Sequence, residues 1–203
     1  MKKIDIIISL IVGFLIAIFS LIILIVLGPE IGLIWKKEWS FFVLIGFPIL
    51  VLFGLSVASK INKKFPMAYQ IGKFATIGTY NNVIDFGILN LLIWISGATT
   101  GLLYIAFKGI SGLTAIINSY FWNKHWTFKT KNSIFSLEEF LKFATIVFFG
   151  FLIDIGIASL VVVVIGPQYG LSEKIWANLG ALIAVLFVFI WNFAGYKSFV
   201  FKK

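Results

Sequence analysis

The chain has 203 residues, 61% hydrophobic and 12% charged, with a mean hydropathy of +1.06, which is more apolar side chain than a soluble domain of this size can hide. Its net charge of +9 comes from lysine alone, since arginine is absent, and the lysines cluster between apolar runs. That pattern orients a membrane protein and argues against nucleic-acid binding, while the lack of cysteine excludes disulfides, thiolate metal sites and thiol catalysis.

Six apolar runs, at 6–27, 40–58, 74–96, 102–123, 142–165 and 175–196, are each of the length needed to cross a bilayer. They predict an all-α integral membrane protein. The first run follows a short Met1-Lys2-Lys3 segment with no small-residue cleavage site behind it, so it reads as a retained signal anchor. Before the third run, Pro66 is expected at the first position of an approach helix that continues to Lys73. External turns at 28–39, 96–101 and 166–174 carry Gly and Pro. Ser136 and Glu139 have the spacing of a capping box, so the fifth helix should start before the bilayer. Thirteen lysines fall on the side of the two termini and three, Lys36, Lys37 and Lys174, on the other. The positive-inside rule then places both termini in the cytoplasm of a cell membrane.

Part of the chain is written twice. Residues 73–97 align without a gap with 142–166: both open on Lys-Phe-Ala-Thr-Ile, Asp85 maps to Asp154, and Gly87 maps to Gly156. Residues 117–128 align with 190–201, placing Lys124 over Lys197, Trp126 over Phe199 and Phe128 over Phe201. Each unit, 73–128 and 142–201, is therefore a helical hairpin that leaves and returns to the cytoplasmic side, and both insert in the same orientation. Residues 59–203 read as one four-helix domain, with 1–58 an additional two-helix hairpin. Each Asp lies about 18 Å along its helix from the repeat lysine, near the bilayer midplane. A carboxylate there costs at least about 2.5 kcal/mol to insert, which points to function.

Gly78, Asn81, Asn82 and Asp85, followed by Asn118, Asn123, Lys124, Trp126 and Phe128, resemble the GtrA-like family of small four-helix membrane proteins over residues 70–203. The resemblance implies movement of polyprenyl-phosphate-linked sugars across a membrane for glycosylation of O-antigen, teichoic acid or other envelope polymers. Similar helices form the membrane part of some dolichyl- and polyprenyl-phosphate glycosyltransferases. Residues 1–58 have no counterpart in the usual four-helix version, and lysine stands where the family often has arginine, which removes bidentate phosphate contacts.

The residues themselves suit such a ligand. Lys73 and Lys142 at the helix entrances and Lys124 and Lys197 at the exits of their partners are four related ammonium groups for a phosphate. Asn81 and Asn82 precede Asp85 by one turn and can share its face; with Asn118, Asn123, Asp154 and Asn192 they offer hydrogen bonds to sugar hydroxyls. Gly150 and Phe151 replace the two amides in the second copy, so the first repeat helix should supply more of a pocket. Trp122, Trp126, Trp176 and Trp191 read as belt or packing residues, and His125 does not read as a metal ligand. Lys108, inside the fourth run, either snorkels outward or pairs with Asp85 or Asp154.

A translocator of lipid-linked sugar is the leading expectation. Its partners are the sugar lipid, membrane lipid, a separate polyprenyl-phosphate glycosyltransferase and a second copy of the chain, with no nucleic acid. One alternative is a membrane anchor or scaffold that presents polyprenyl phosphate to that glycosyltransferase. Another is a small transporter in which Asp85 and Asp154 relay protons. No DxD motif, Ser/His/Asp set or P-loop suggests an enzyme, a cofactor or a metal.

Overall fold

The computed structural model describes residues 1–29, 36–98, 101–130, 134–170 and 173–202, so parts of the expected external turns (30–35, 99–100, 171–172) and of the 131–133 loop lie outside the described residues. Six helices follow in order: α1 (Lys3–Leu27), α2 (Trp39–Ile61), α3 (Ala68–Ser96), α4 (Gly101–Trp122), α5 (Leu137–Ser159) and α6 (Glu173–Gly195). Among the described residues, five of the six are long and apolar enough to cross a membrane. The exception is α3. Its 29 residues exceed the length required, but Gln70, Lys73, Asn81, Asn82, Asp85 and Asn90 dilute its apolar content. The chain is an all-α, multi-pass membrane protein whose most polar helix carries more of the expected site than any other helix does.

Local chemistry sets the helix ends. Ser136 caps α5 as expected, its hydroxyl accepting the Glu139 N–H at 3.3 Å. Pro66 does not open α3. It lies in the turns that precede the helix, Met67 is the N-cap, and Asn62 Oδ1 accepts the Tyr69 N–H at 3.1 Å in place of a cap side chain. Gly97 ends α3 in the left-handed region, at φ 70°. Helices α4, α5 and α6 each run into a π-helical segment, at Asn123–Thr127, Leu160–Ile165 and Tyr196–Val200. The first and third of these occupy the same position in the two repeats, since 117–128 aligns with 190–201. A single π-turn is rare and frequently marks a functional site, so its recurrence is a structural signature of the repeat.

The chain divides into two compact units, Met1–Thr127 and Phe128–Lys203. In the first unit α1 and α2 both pack on α3 of the first hairpin. Val12, Ile16, Leu55, Ile77, Tyr80, Ile84 and Trp126 form the core of this unit. Two close approaches make it possible. A Cβ on Gly13 would lie 2.5 Å from Pro48 Cα, and one on Gly87 would lie 2.6 Å from the Phe19 ring, so these glycines admit α2 and α1 respectively. Gly13→Ala must move a backbone and is expected to cost about 1–3 kcal/mol. Gly46→Ala, with nothing within 4 Å of the new Cβ, should be neutral or stabilising. Thermal unfolding of the two variants in one detergent checks the contrast.

In the second unit α5 packs on α6. Aromatic rings cluster where α5 begins and α6 closes, with Phe143 and Tyr196 centroids 4.5 Å apart and Phe128 and Phe201 at 5.3 Å. The indoles of Trp176 and Trp191 donate to the Val161 and Ile146 carbonyls at 2.8 and 2.9 Å, locking α6 to α5. These two tryptophans are packing residues.

Candidate functional site

Helices α3 and α4 build a polar face at mid-span depth. Lys108 Nζ lies 2.5 Å from Asp85 Oδ2, and Ser111 Oγ donates to Asp85 Oδ1 at 2.6 Å. One turn nearer the start of α3, Asn118 Nδ2 donates to Asn81 Oδ1 at 2.6 Å. Pairing is what allows these groups at such a depth, since a lone charge in hydrocarbon is costly and a neutralised, hydrogen-bonded one far less so. The face is not sealed: the side chains of Lys108 and Asp85 keep 47% and 24% of their exposure. Of the options for Lys108, the pairing with Asp85 is the one present. Asn81, Asn118 and Asp85 thus line one side of the hairpin, joined by Lys108 and by Ser111, whose role the sequence did not single out. Asn82 is exposed and takes no part in the Asn81–Asn118 bond.

The end of the first hairpin where α3 begins and α4 closes differs from the expected open rim of ammonium groups. Lys73 is buried, and its Nζ is 2.6 Å from Asp5 Oδ1, with side-chain exposures of 4% and 3%. Trp126 Nε1 donates to the same Asp5 oxygen at 3.0 Å, and the Lys73 ammonium sits 4.5 Å from the Tyr69 ring centre and 5.2 Å from that of Trp126. Lys73 is therefore a neutralised core group. Asp5 is the partner the sequence reading missed; its one available signal was that it is the sole acid in residues 1–29.

Lys124 is also buried, with Nζ 3.2 Å from the Tyr120 hydroxyl one turn earlier on the π-helical end of α4. Asn123 is buried beside it and donates to the Ser119 carbonyl at 2.9 Å. Trp126 is a core side chain and not a belt residue, since the π-turn rotates it inward onto Asp5. Trp122 packs edge-on against Tyr80 and Trp126, and His125 stacks on Phe121.

The second hairpin repeats the scheme with changed partners. Lys142, the counterpart of Lys73, is exposed and pairs with Glu138 on its own helix at 2.5 Å. The Lys142 ammonium holds the Glu138 carboxyl below the usual range. Lys197 lies 5.9 Å from the Phe193 ring centre, as Lys124 lies 5.5 Å from that of Tyr120, at matching repeat positions. Asp154 is half-buried in mid-α5, and the position aligned with Lys108 is Ala181. The amide has changed helix. Gly150 stands where the first copy has Asn81, and Asn192 from α6 covers it, with Oδ1 2.8 Å from where a Gly150 Cβ would be. The expected residues thus include a polar face at depth in the first hairpin, built by Asn81, Asp85 and Asn118, and two buried lysines, Lys73 and Lys124, near its helix ends.

Known proteins point the same way. Residues 73–201 match the family model described as GtrA/DPMS, transmembrane domain, a span that opens with the first repeat and closes with the last residue of the second. A relative from Bacillus subtilis (strain 168), described as an uncharacterized membrane protein, YngA, is 38% identical over 61 residues. That alignment covers 30% of this chain and 38% of the relative's own length. No solved structure matches.

Proposed function

Because the chain belongs to the GtrA/DPMS transmembrane-domain family, over residues 73–201, we propose that it moves a polyprenyl-phosphate-linked sugar across the cytoplasmic membrane for glycosylation of cell-envelope polymers. A sugar headgroup is rejected by lipid because its hydroxyls lose their hydrogen bonds there. The polar face on α3 and α4 supports the reading: Asp85, Lys108, Ser111, Asn81 and Asn118 keep donors and acceptors at mid-span depth, where hydrocarbon supplies none. The lipid tail is already solvated by the bilayer, so the protein needs only to shelter the head. The proposed role requires no bond-making step. A separate glycosyltransferase charges the lipid on the cytoplasmic side, and the homodimer expected from the size of a four-helix wall encloses the head.

In this scheme both termini face the cytoplasm, and the lysine distribution supports that orientation. The native chain has no cysteine, so single reporters are clean. Lys64→Cys, between α2 and α3, and Tyr169→Cys, which replaces a side chain 96% exposed beyond α5, should react with a membrane-impermeant maleimide from opposite sides of intact cells. Labelling of both from the same side overturns the topology. The function itself is tested in vesicles that hold the purified chain and a fluorescent lipid-linked sugar. Protein-dependent loss of the outer-leaflet signal is expected, and a rate equal to that of empty vesicles refutes transport.

A further inference from the structure

The second repeat contains a groove of about 450 Å3, formed by α5, α6 and the π-helical segment that ends α6. Lys142, Thr145, Ile146 and Phe149 form one wall, and Trp191, Gly195, Ser198 and Phe199 are on the other. In the first repeat the counterparts of its α5 wall and of its Phe199 end are covered by α1. Lys142, Ile146, Phe149 and Phe199 align with Lys73, Ile77, Tyr80 and Trp126. Of these, Lys73 and Trp126 hold the Asp5 carboxylate, while Ile77 and Tyr80 pack with Val12 and Ile16. The matched glycines agree: Gly87 takes the Phe19 ring of α1, whereas Gly156 has nothing within 4 Å of a Cβ.

The first repeat therefore shows what such a groove binds: an apolar rod with an anion at its cytoplasmic end, the anion on the repeat lysine. From this we propose that the α5–α6 groove binds a polyprenyl-phosphate lipid, its phosphate on Lys142 and its chain along Ile146, Phe149 and Trp191. The inference rests on the transport reading above and locates the lipid in the second repeat, with α1 serving as a built-in occupant of the first.

Size favours a lipid over a helix. A groove of about 450 Å3 falls in the range of small-molecule sites, about 300–1,000 Å3. Its space is left by the small side chains of Ala194, Gly195 and Ser198, which stand where the first repeat has Phe121, Trp122 and His125. Charge favours an anion. Among the described residues Lys142 pairs with Glu138, one helical turn away, with side-chain exposures of 50% and 78%. A pair of that kind is weak and exchangeable, unlike the buried Lys73–Asp5 pair. A phosphate, with its higher charge and several acceptors, displaces Glu138 from the ammonium.

The test uses the full chain in nanodiscs and measures binding of a long-chain polyprenyl phosphate against the uncharged polyprenol. Lys142→Gln should weaken phosphate binding by about ten- to a hundredfold and leave polyprenol binding as it was. Ser198→Trp, at an exposed position, should block both lipids. Glu138→Gln should strengthen phosphate binding severalfold, a gain that misfolding cannot produce. Three results overturn the proposal: phosphate binding indifferent to Lys142→Gln and Glu138→Gln, equally tight binding of phosphatidylglycerol, or a photo-cross-linker at Phe149 that captures a protein helix and no lipid. Transport of lipid-linked sugar by the wild type is measured in parallel. Transport together with Lys142-independent binding rejects the groove alone, while Lys142-dependent binding without transport keeps the groove and rejects the transport reading.

Discussion

Asp5→Ala is expected to destabilise the first unit by about 3–5 kcal/mol, because it strips a buried lysine of its counter-charge. Lys73 has 4% side-chain exposure, and the lost carboxylate also accepts from the Trp126 indole. Two buried donors are stranded at once. The neutral pair Asp5→Asn with Lys73→Gln should recover most of the loss, since no charge then remains to be desolvated and amide and indole can still exchange hydrogen bonds. The measurement is thermal unfolding in detergent, followed by Trp fluorescence, of the wild type, the two single variants and the double variant. A cycle in which the single losses simply add would show that the pair is uncoupled and that α1 is held by its apolar face alone. The same cycle bears on the two-unit description, because Asp5→Ala should lower the unfolding temperature of Met1–Thr127 and leave the aromatic contacts of Phe128–Lys203 intact.

Asp85→Ala is expected to lower transport of lipid-linked sugar by at least about tenfold, the effect of one charge-assisted contact, with the protein still inserted. Asp85 is bonded to both Lys108 and Ser111 across the α3–α4 contact, whereas in the second repeat alanine stands at the position aligned with Lys108. Asp154→Ala should accordingly be milder. The charge-reversed pair, Asp85→Lys with Lys108→Asp, separates two roles. If the ion pair serves only to neutralise charge at depth, the reversal restores both expression and transport. If Asp85 accepts from sugar hydroxyls, the reversal restores expression and leaves transport low, because the carboxylate has moved to α4 and the Ser111 bond is lost. Wild-type rates in Asp85→Ala would return this carboxylate to a packing role.

Apolar content and its spacing were enough to determine the six helices. The run 74–96 became Ala68–Ser96, and 142–165 became Leu137–Ser159 with its π-helical extension, because the length of an apolar run is a local property that a bilayer reads directly. Self-similarity located the repeat to the residue, and the two π-turns fall at matching positions within it. The Ser136 cap was equally local. Even the pairing of Lys108 was among the sequence-level options, since a charge at that depth must leave the hydrocarbon or find a partner.

Tertiary structure alone decided which lysines are buried. Lys73 and Lys142 open the same five-residue motif, yet one is buried against Asp5 and the other is exposed beside Glu138. The difference arises from a contact between residues 68 positions apart, made only because α1 docks on the first hairpin, where Gly87 admits Phe19. Burial of Lys124 likewise follows from the π-turn, which changes the facing of every side chain after it. Hydropathy is carried residue by residue and survives in a one-dimensional reading. The partner of a charge depends on which helix arrives at its face, and that is set by the packing of side chains far apart in the chain.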